Sequence, residues 1–156
     1  RATQREALRE SQLATAAAMY VKAASLPRVQ AISVCTLYDE WSGDGVRYYG
    51  PGDPDGHPQT WLRYGDDFVR VEQTHTSQPD WTPDAAPSLY TILPLAPDGI
   101  RIWETPTHAE NAFDKGERCH HPGADGDIWV SGRDGNTSEP GTDQWWTREG
   151  DAKDRS

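Results

Sequence analysis

The chain carries seven Trp, six Tyr and two Phe in 156 residues, and several of these rings stand beside turn formers rather than inside apolar runs. An indole or phenol offers a flat face to the weakly polar C–H side of a sugar ring, and its N–H or O–H tip reaches hydroxyls at the rim. Five residues are candidates for that carbohydrate-binding chemistry: Trp81, Tyr90, Trp129, Trp145 and Trp146. Trp81 lies between Asp80 and Thr82-Pro83 in a loop-like stretch, where a ring is hard to bury. Tyr90, Trp145 and Trp146 adjoin the ends of strand-like runs, and Trp129 is central in Ile128-Trp129-Val130. Neighbours on a strand point to opposite sides, so one of Trp145 and Trp146 should face outward. In small modules the aromatics must also build the core, and Trp41, Tyr64 and Trp129 suit that role by position.

Other chemistries find less to work with. Cys119-His120-His121 is contiguous, and consecutive residues rarely converge on one ion; without a CxxC or HxxxH partner, no metal ligands are expected. Asp66-Asp67, Glu104 and Glu110 supply carboxylates in a chain already rich in acid, but nothing pairs them as acid and base. The chain has no GxSxG, P-loop or dinucleotide fingerprint, and Ser77 with His75 at i and i+2 reads as a turn. No catalytic residues and no cofactor are therefore expected. Cys35 and Cys119 allow one disulfide at most or two thiols, and free thiols are the favoured reading.

Lys and Arg total 15 against 25 Asp and Glu, a formal charge of −10, which repels phosphate backbones; nucleic acid is a poor partner. The abundance of aromatics separates the chain from disordered acidic sequences. No apolar run approaches the roughly 18 residues a membrane span needs, so no membrane insertion is expected. Glu6 and Glu10 interrupt the first 27 residues, which lack the apolar stretch of a secretory signal.

The elements that must position these residues follow from the spacing. Thr3 to Ser25 reads as a helix: Thr3 with Glu6 has capping-box spacing, and Ala14, Ala17, Ala18, Val21 and Ala24 recur at helical intervals. Its small-residue stripe suits either contact with another copy or packing on its own domain. After Pro27, Val29 to Leu37 reads as a strand or extended linker. From Tyr38 onward, short β-like stretches alternate with Gly, Pro and Asp clusters, including the exposed loop Gly50 to Thr60. Two segments share an order of features: Trp41, Gly52-Asp53, Tyr64 to Val71, Trp81-Thr82-Pro83 and Tyr90, then Trp103, Gly116-Glu117, Ile128 to Val130, Glu139-Pro140-Gly141 and Trp145-Trp146. A weak tandem repeat of about 50 residues is the economical reading. The expected fold is mainly β, an N-terminal helix (1–27) followed by two small antiparallel β modules (28–95 and 96–156).

The run His75-Thr76-Ser77-Gln78-Pro79-Asp80-Trp81-Thr82-Pro83, continuing to Pro87-Ser88-Leu89-Tyr90, resembles the end of a small carbohydrate-binding module of the chitin-binding five/twelve type. Glu40 to Val46 and Arg63-Tyr64 resemble the start and central strand of that module, which is widespread in phage and prophage tail-region proteins of Gram-positive bacteria. Phe113, Lys115-Gly116-Glu117-Arg118-Cys119, Trp129, Glu139-Pro140-Gly141 and Trp146 resemble the partner module that often follows. Val69 stands where the family usually has an aromatic, Tyr90 replaces the closing Trp, and Cys119 replaces an apolar residue. The resemblance implies a tail-associated virion protein that binds a bacterial cell-surface polysaccharide or peptidoglycan-type glycan without catalysis. Other virion proteins are the implied partners, and the alanine-rich stripe of Thr3 to Ser25 adds the expectation of further copies of the chain joined through the N-terminal helix. The alternative is a structural virion or decoration protein whose modules no longer bind sugar.

Overall fold

In a computed structural model, residues 2–149 are described. Helix α1 spans Ala2–Ala23, so Thr3 lies within it rather than capping it. Nearly all of α1 stands in solvent: from Thr3 to Tyr20 only Ala18 is even partly covered. Val21, near its end, is the one described side chain of the helix that enters the core.

Residues 28–37 correct the extended reading. Arg28–Ser33 forms a short helix, α2, and Cys35–Leu37 a 3-10 turn. Pro27, at φ −61° and ψ 154°, sets the entry, and its carbonyl accepts the first helical bond from Ala31 N–H at 2.9 Å. Four β-branched residues in this stretch, Val29, Ile32, Val34 and Thr36, favour a strand locally, but packing overrides that preference. The helix puts Arg28 and Ala31 on one buried side, which alternation along a strand would have separated.

The remainder forms several sheets, with about 24% strand and 23% helix overall, so the chain is helix plus small β structure rather than mainly β. Strand β1 (Arg47–Tyr48) pairs with β4 (His75–Thr76). A three-stranded antiparallel sheet joins β2 (Trp61–Tyr64), β3 (Asp67–Val71) and β5 (Tyr90–Leu93) in the order β2-β3-β5. Beyond the turn at 94–100, the second sheet runs β6 (Arg101–Ile102), β7 (Arg118–His121), β8 (Asp127–Ser131) and β9 (Trp146–Arg148). Its β6 and β7 are parallel, which departs from the all-antiparallel expectation.

The two sheets repeat one topology. In the first, Glu40 bridges Arg63 in parallel, ahead of the β2-β3-β5 meander; in the second, β6 runs parallel to β7 ahead of β7-β8-β9. Trp41 N–H donates to Arg63 O at 2.7 Å and Trp103 N–H to His120 O at 3.0 Å, which matches Trp41 with Trp103 and Tyr64 with His121. Strand register then matches Val69 with Trp129, each opposite the residue two before the matched pair's second member. It likewise matches Tyr90 with Trp146, opposite Val71 and Ser131.

Alternation on the first sheet feeds two cores. Trp61, Phe68 and Leu93 face α2, Val21 and Tyr38, while Leu62, Val69, Val71 and Tyr90 face the loops on the other side. Phe113, Cys119 and Trp146 centre the second sheet's cluster. Both cysteines are free, and burial pushes the Cys119 thiol up to about 12, so it behaves as a small apolar residue. A buried ion cluster ties α2 to the second sheet: Glu117 lies 2.7 Å from Arg28 Nη2 and 3.1 Å from Arg101 Nη1. Arg101 also donates to the carbonyls of Ala112 and Asn111 and lies 3.7 Å over the Phe113 ring. Burial lowers its guanidinium to about 10, partly offset by Glu117.

Candidate functional site

The repeated topology brings the same constellation together twice. In the first unit, Trp41 leaves the parallel edge segment and Tyr64 ends β2; their rings meet edge to face at 5.9 Å and 83°. Tyr64 Oη donates to Asp84 Oδ1 at 2.8 Å. That bond raises the phenol above its usual range and keeps it a donor, while Thr82 and Tyr64 together hold Asp84 low and charged. In the second unit, Trp103 and His121 meet edge to face at 5.1 Å and 73°, and His121 Nε2 lies 3.0 Å from Glu139 Oε2. Each unit thus presents a half-buried indole, a second ring across it and a carboxylate at the rim.

Trp81 lies three residues before Asp84 on the loop between β4 and β5. It is 38% exposed, at the tip of the turn that follows Gln78, whose carbonyl accepts its backbone N–H at 3.1 Å. Pro79 in the same turn closes over Gly43: a Cβ on Gly43 would lie 2.7 Å from Pro79 Cα and 3.0 Å from the Trp41 ring. Gly43 is therefore glycine so that the loop carrying Trp81 can seat beside Trp41. Trp129 belongs to the second constellation. It is half-buried, donates to His121 O at 3.3 Å, and lies against Gly141, where a Cβ would sit 3.5 Å from its ring.

Tyr90 and Trp146 are corrected. They occupy matched positions and are 2% and 5% exposed, so neither ring presents a face to a ligand. Tyr90 Oη accepts Trp41 Nε1–H at 3.0 Å and lies 2.8 Å from His75 Nε2. His75 Nδ1 faces the Gln73 carbonyl at 2.7 Å, which can only accept, so in the neutral ring Nε2 takes the Tyr90 proton. Trp146 donates to Ser138 O at 2.8 Å and packs edge-on to Phe113. Its neighbour Trp145 is the outward member of the pair, half-buried, with the Arg133 guanidinium 4.6 Å over its ring.

Trp41, Tyr64 and Asp84 in the first unit, and Trp103, His121 and Glu139 in the second, were not among the sequence candidates. Strand register matches the rings; the one local signal is the alignment of His75-Thr76-Ser77-Gln78-Pro79 with Asn136-Thr137-Ser138-Glu139-Pro140, which sets Glu139 against Gln78 and not against Asp84. It agrees with the pairing of Tyr48 to His75 and of Phe113 to Asn136. It also places Thr142 opposite Trp81, so only the first unit carries an exposed indole at that turn.

Cys119, His120 and His121 do not converge. Cys119 is buried, His120 bonds Gly126 O and Asp98, and His121 faces Glu139. Among the described residues, the one group of three or more that could hold a metal ion is Asp53, Asp55 and His57. No family model matches the chain, and no curated protein matches it either.

Proposed function

We propose that this chain is a non-catalytic glycan-binding protein of a phage or prophage tail, acting on bacterial cell-surface polysaccharide or peptidoglycan-type glycan. The observation that carries the reading is the duplicated ring pair: an indole crossed by a second ring at matched positions of two sheets, with a carboxylate bonded to the second ring in each, Asp84 in the first and Glu139 in the second, from positions that do not match. The indole face takes a sugar's C–H side, and Asp84 or Glu139 takes hydroxyl protons. Perpendicular rings make each site a corner that holds one residue of a glycan rather than a long coplanar platform. Two such corners on one chain convert weak single contacts into avidity of roughly 10²-fold or more when a polymer spans both. The sheets then act as tandem modules, 28–95 and 96–156, behind the helical segment 1–27. The working location is the virion tail region, or the host surface on encounter.

A second reading has its own observation. Leu8, Leu13, Met19 and Tyr20 are each more than 60% exposed on α1, which projects from the body. A helix of this kind fits contact with other copies or other virion proteins, and it suits a structural virion component whose modules no longer bind sugar. Retention of the full chain on insoluble chitin and on Gram-positive cell walls decides between them. Retention that falls on Trp81→Ala or Trp103→Ala supports the glycan reading. A folded wild-type protein that is retained on neither material overturns it and leaves the structural one.

A further inference from the structure

The first unit contains a loop that its sister does without. Fourteen positions separate Tyr48 from Leu62, whereas six separate the matched Phe113 from Cys119, so the first loop is longer by eight residues. The second sheet closes the same topology without that insertion, so the insertion is not needed for the fold. Within it stand Asp53, Asp55 and His57.

The loop is anchored at its neck. Tyr49 N–H donates to Thr60 Oγ1 at 2.9 Å, Thr60 N–H donates to Tyr49 O at 2.8 Å, and Gly50 N–H donates to Thr74 Oγ1 at 3.0 Å. Gly56, at φ +82°, turns the chain back so that His57 returns to Asp53. The His57 ring stacks on Tyr49 at 3.9 Å and 7°, which fixes the plane of the imidazole from outside the cluster. Its Nδ1 lies 2.8 Å from Asp53 Oδ2, and ligand atoms of Asp53, Asp55 and His57 all fall within 4.8 Å of one another.

We propose that Asp53, Asp55 and His57 form a binding site for one divalent first-row transition ion of the Zn²⁺ class. Ligand bonds of about 2.0–2.2 Å put neighbouring donor atoms about 3 Å apart, and the Asp53–His57 separation already has that length. An imidazole among two carboxylates selects a borderline ion over Ca²⁺, which prefers six or more oxygens. Asp53 Oδ2 accepts the N–H groups of Asp55 at 3.1 Å and of His57 at 3.2 Å, which hold its carboxylate in place beside the imidazole. The Tyr49 ring does for His57 what an outer-layer partner does for a metal-bound histidine: it removes ring rotation before the ion arrives. Three protein donors leave further coordination positions to water. The site stands apart from both aromatic constellations and does not depend on glycan binding.

Calorimetric titration of the full chain with ZnCl₂, and separately with CaCl₂, tests the assignment alongside His57→Ala and Asp55→Asn. The expected result is one saturable Zn²⁺ site per chain, weakened about tenfold or more by either substitution, with Ca²⁺ silent. Both variants change exposed loop residues, and an unaltered melting curve without metal verifies that they fold. Zn²⁺ binding of the same stoichiometry and affinity in His57→Ala would place the ion on other histidines and overturn the proposal. So would the absence of saturable Zn²⁺ binding, or a preference for Ca²⁺.

Discussion

Tyr90 Oη accepts the indole N–H of Trp41 at 3.0 Å, a bond that the matched indole of the second unit lacks. At the position matched to Tyr90, Trp146 has no hydroxyl to offer, and the indole N–H of Trp103 is buried without a partner. The first indole is therefore pinned from behind by a chain running Trp41, Tyr90, His75 and the Gln73 carbonyl, while the second is held by packing alone.

Tyr90→Phe removes the centre of that chain and strands the Trp41 N–H and His75 Nε2. The expected cost is about 1–3 kcal/mol, with little change in packing volume. Chemical denaturation with an unchanged m-value checks it. A loss below about 0.5 kcal/mol would show that the chain contributes nothing net.

Trp81→Ala should leave stability within about 0.5 kcal/mol of wild type because the ring is exposed, while lowering retention on a glycan matrix. Trp146→Ala should instead cost about 3–5 kcal/mol by opening a cavity beside Phe113. Thermal melts beside retention assays separate the two, and a strongly destabilised Trp81→Ala would mean that the indole is structural.

Glu117→Gln removes the shared partner of Arg28 and Arg101 and leaves two guanidinium groups facing each other out of water. Breaking a buried cluster this way costs about 3–5 kcal/mol. The melting temperature should fall by several degrees, and Arg28→Met in the same background should recover part of the loss by removing one stranded charge. Absence of any recovery would argue that Asp114, 3.1 Å from Arg28, already compensates.

His120 faces two acceptors, Gly126 O at 2.8 Å and Asp98 Oδ2 at 2.6 Å, so both ring nitrogens carry protons when both bonds are made. Burial by itself would lower this histidine, but the Gly126 and Asp98 bonds outweigh it and raise the group above its ordinary value. A raised folded-state value contributes stability that is complete below the unfolded value of about 6.5 and fades as pH rises through the folded one. Asp98 is held low, against its own desolvation, by Ile100 N–H and by His120, so the pair weakens again in strong acid. The stability difference between wild type and Asp98→Asn should therefore be present at pH 6 and shrink by pH 9. A difference constant across that range would show that His120 does not titrate with the bond.

Removing residues 1–18 keeps Val21 in the core and takes away helix that is exposed from Thr3 to Ala17 and partly covered only at Ala18. Light scattering should show a smaller assembly than the full chain, with the near-ultraviolet aromatic signal of the sheets unchanged. An unchanged mass would assign α1 to contacts with other proteins instead.

The sequence alone carried whatever depends on local composition: a helix at the start, short strands between Gly and Pro clusters, an exposed indole at Trp81, and the repeated order of features. Those signals are local, since each is set by backbone preference or by a few neighbouring residues. It misread Val29 to Leu37 because β-branched residues favour a strand in isolation, whereas the helix is selected by burial of Ala31 and the pairing of Arg28 with a residue 89 positions away. It placed Tyr90 and Trp146 at a binding surface because type and position near a strand end say nothing of what lies on the other side of the sheet. Only tertiary register decided that both turn inward, that Trp41 and Trp103 are the matched half-buried indoles, and that Asp53, Asp55 and His57 converge. Such facts rest on strand pairing and loop closure between residues far apart in the chain, and no local preference encodes which partner a side chain will meet.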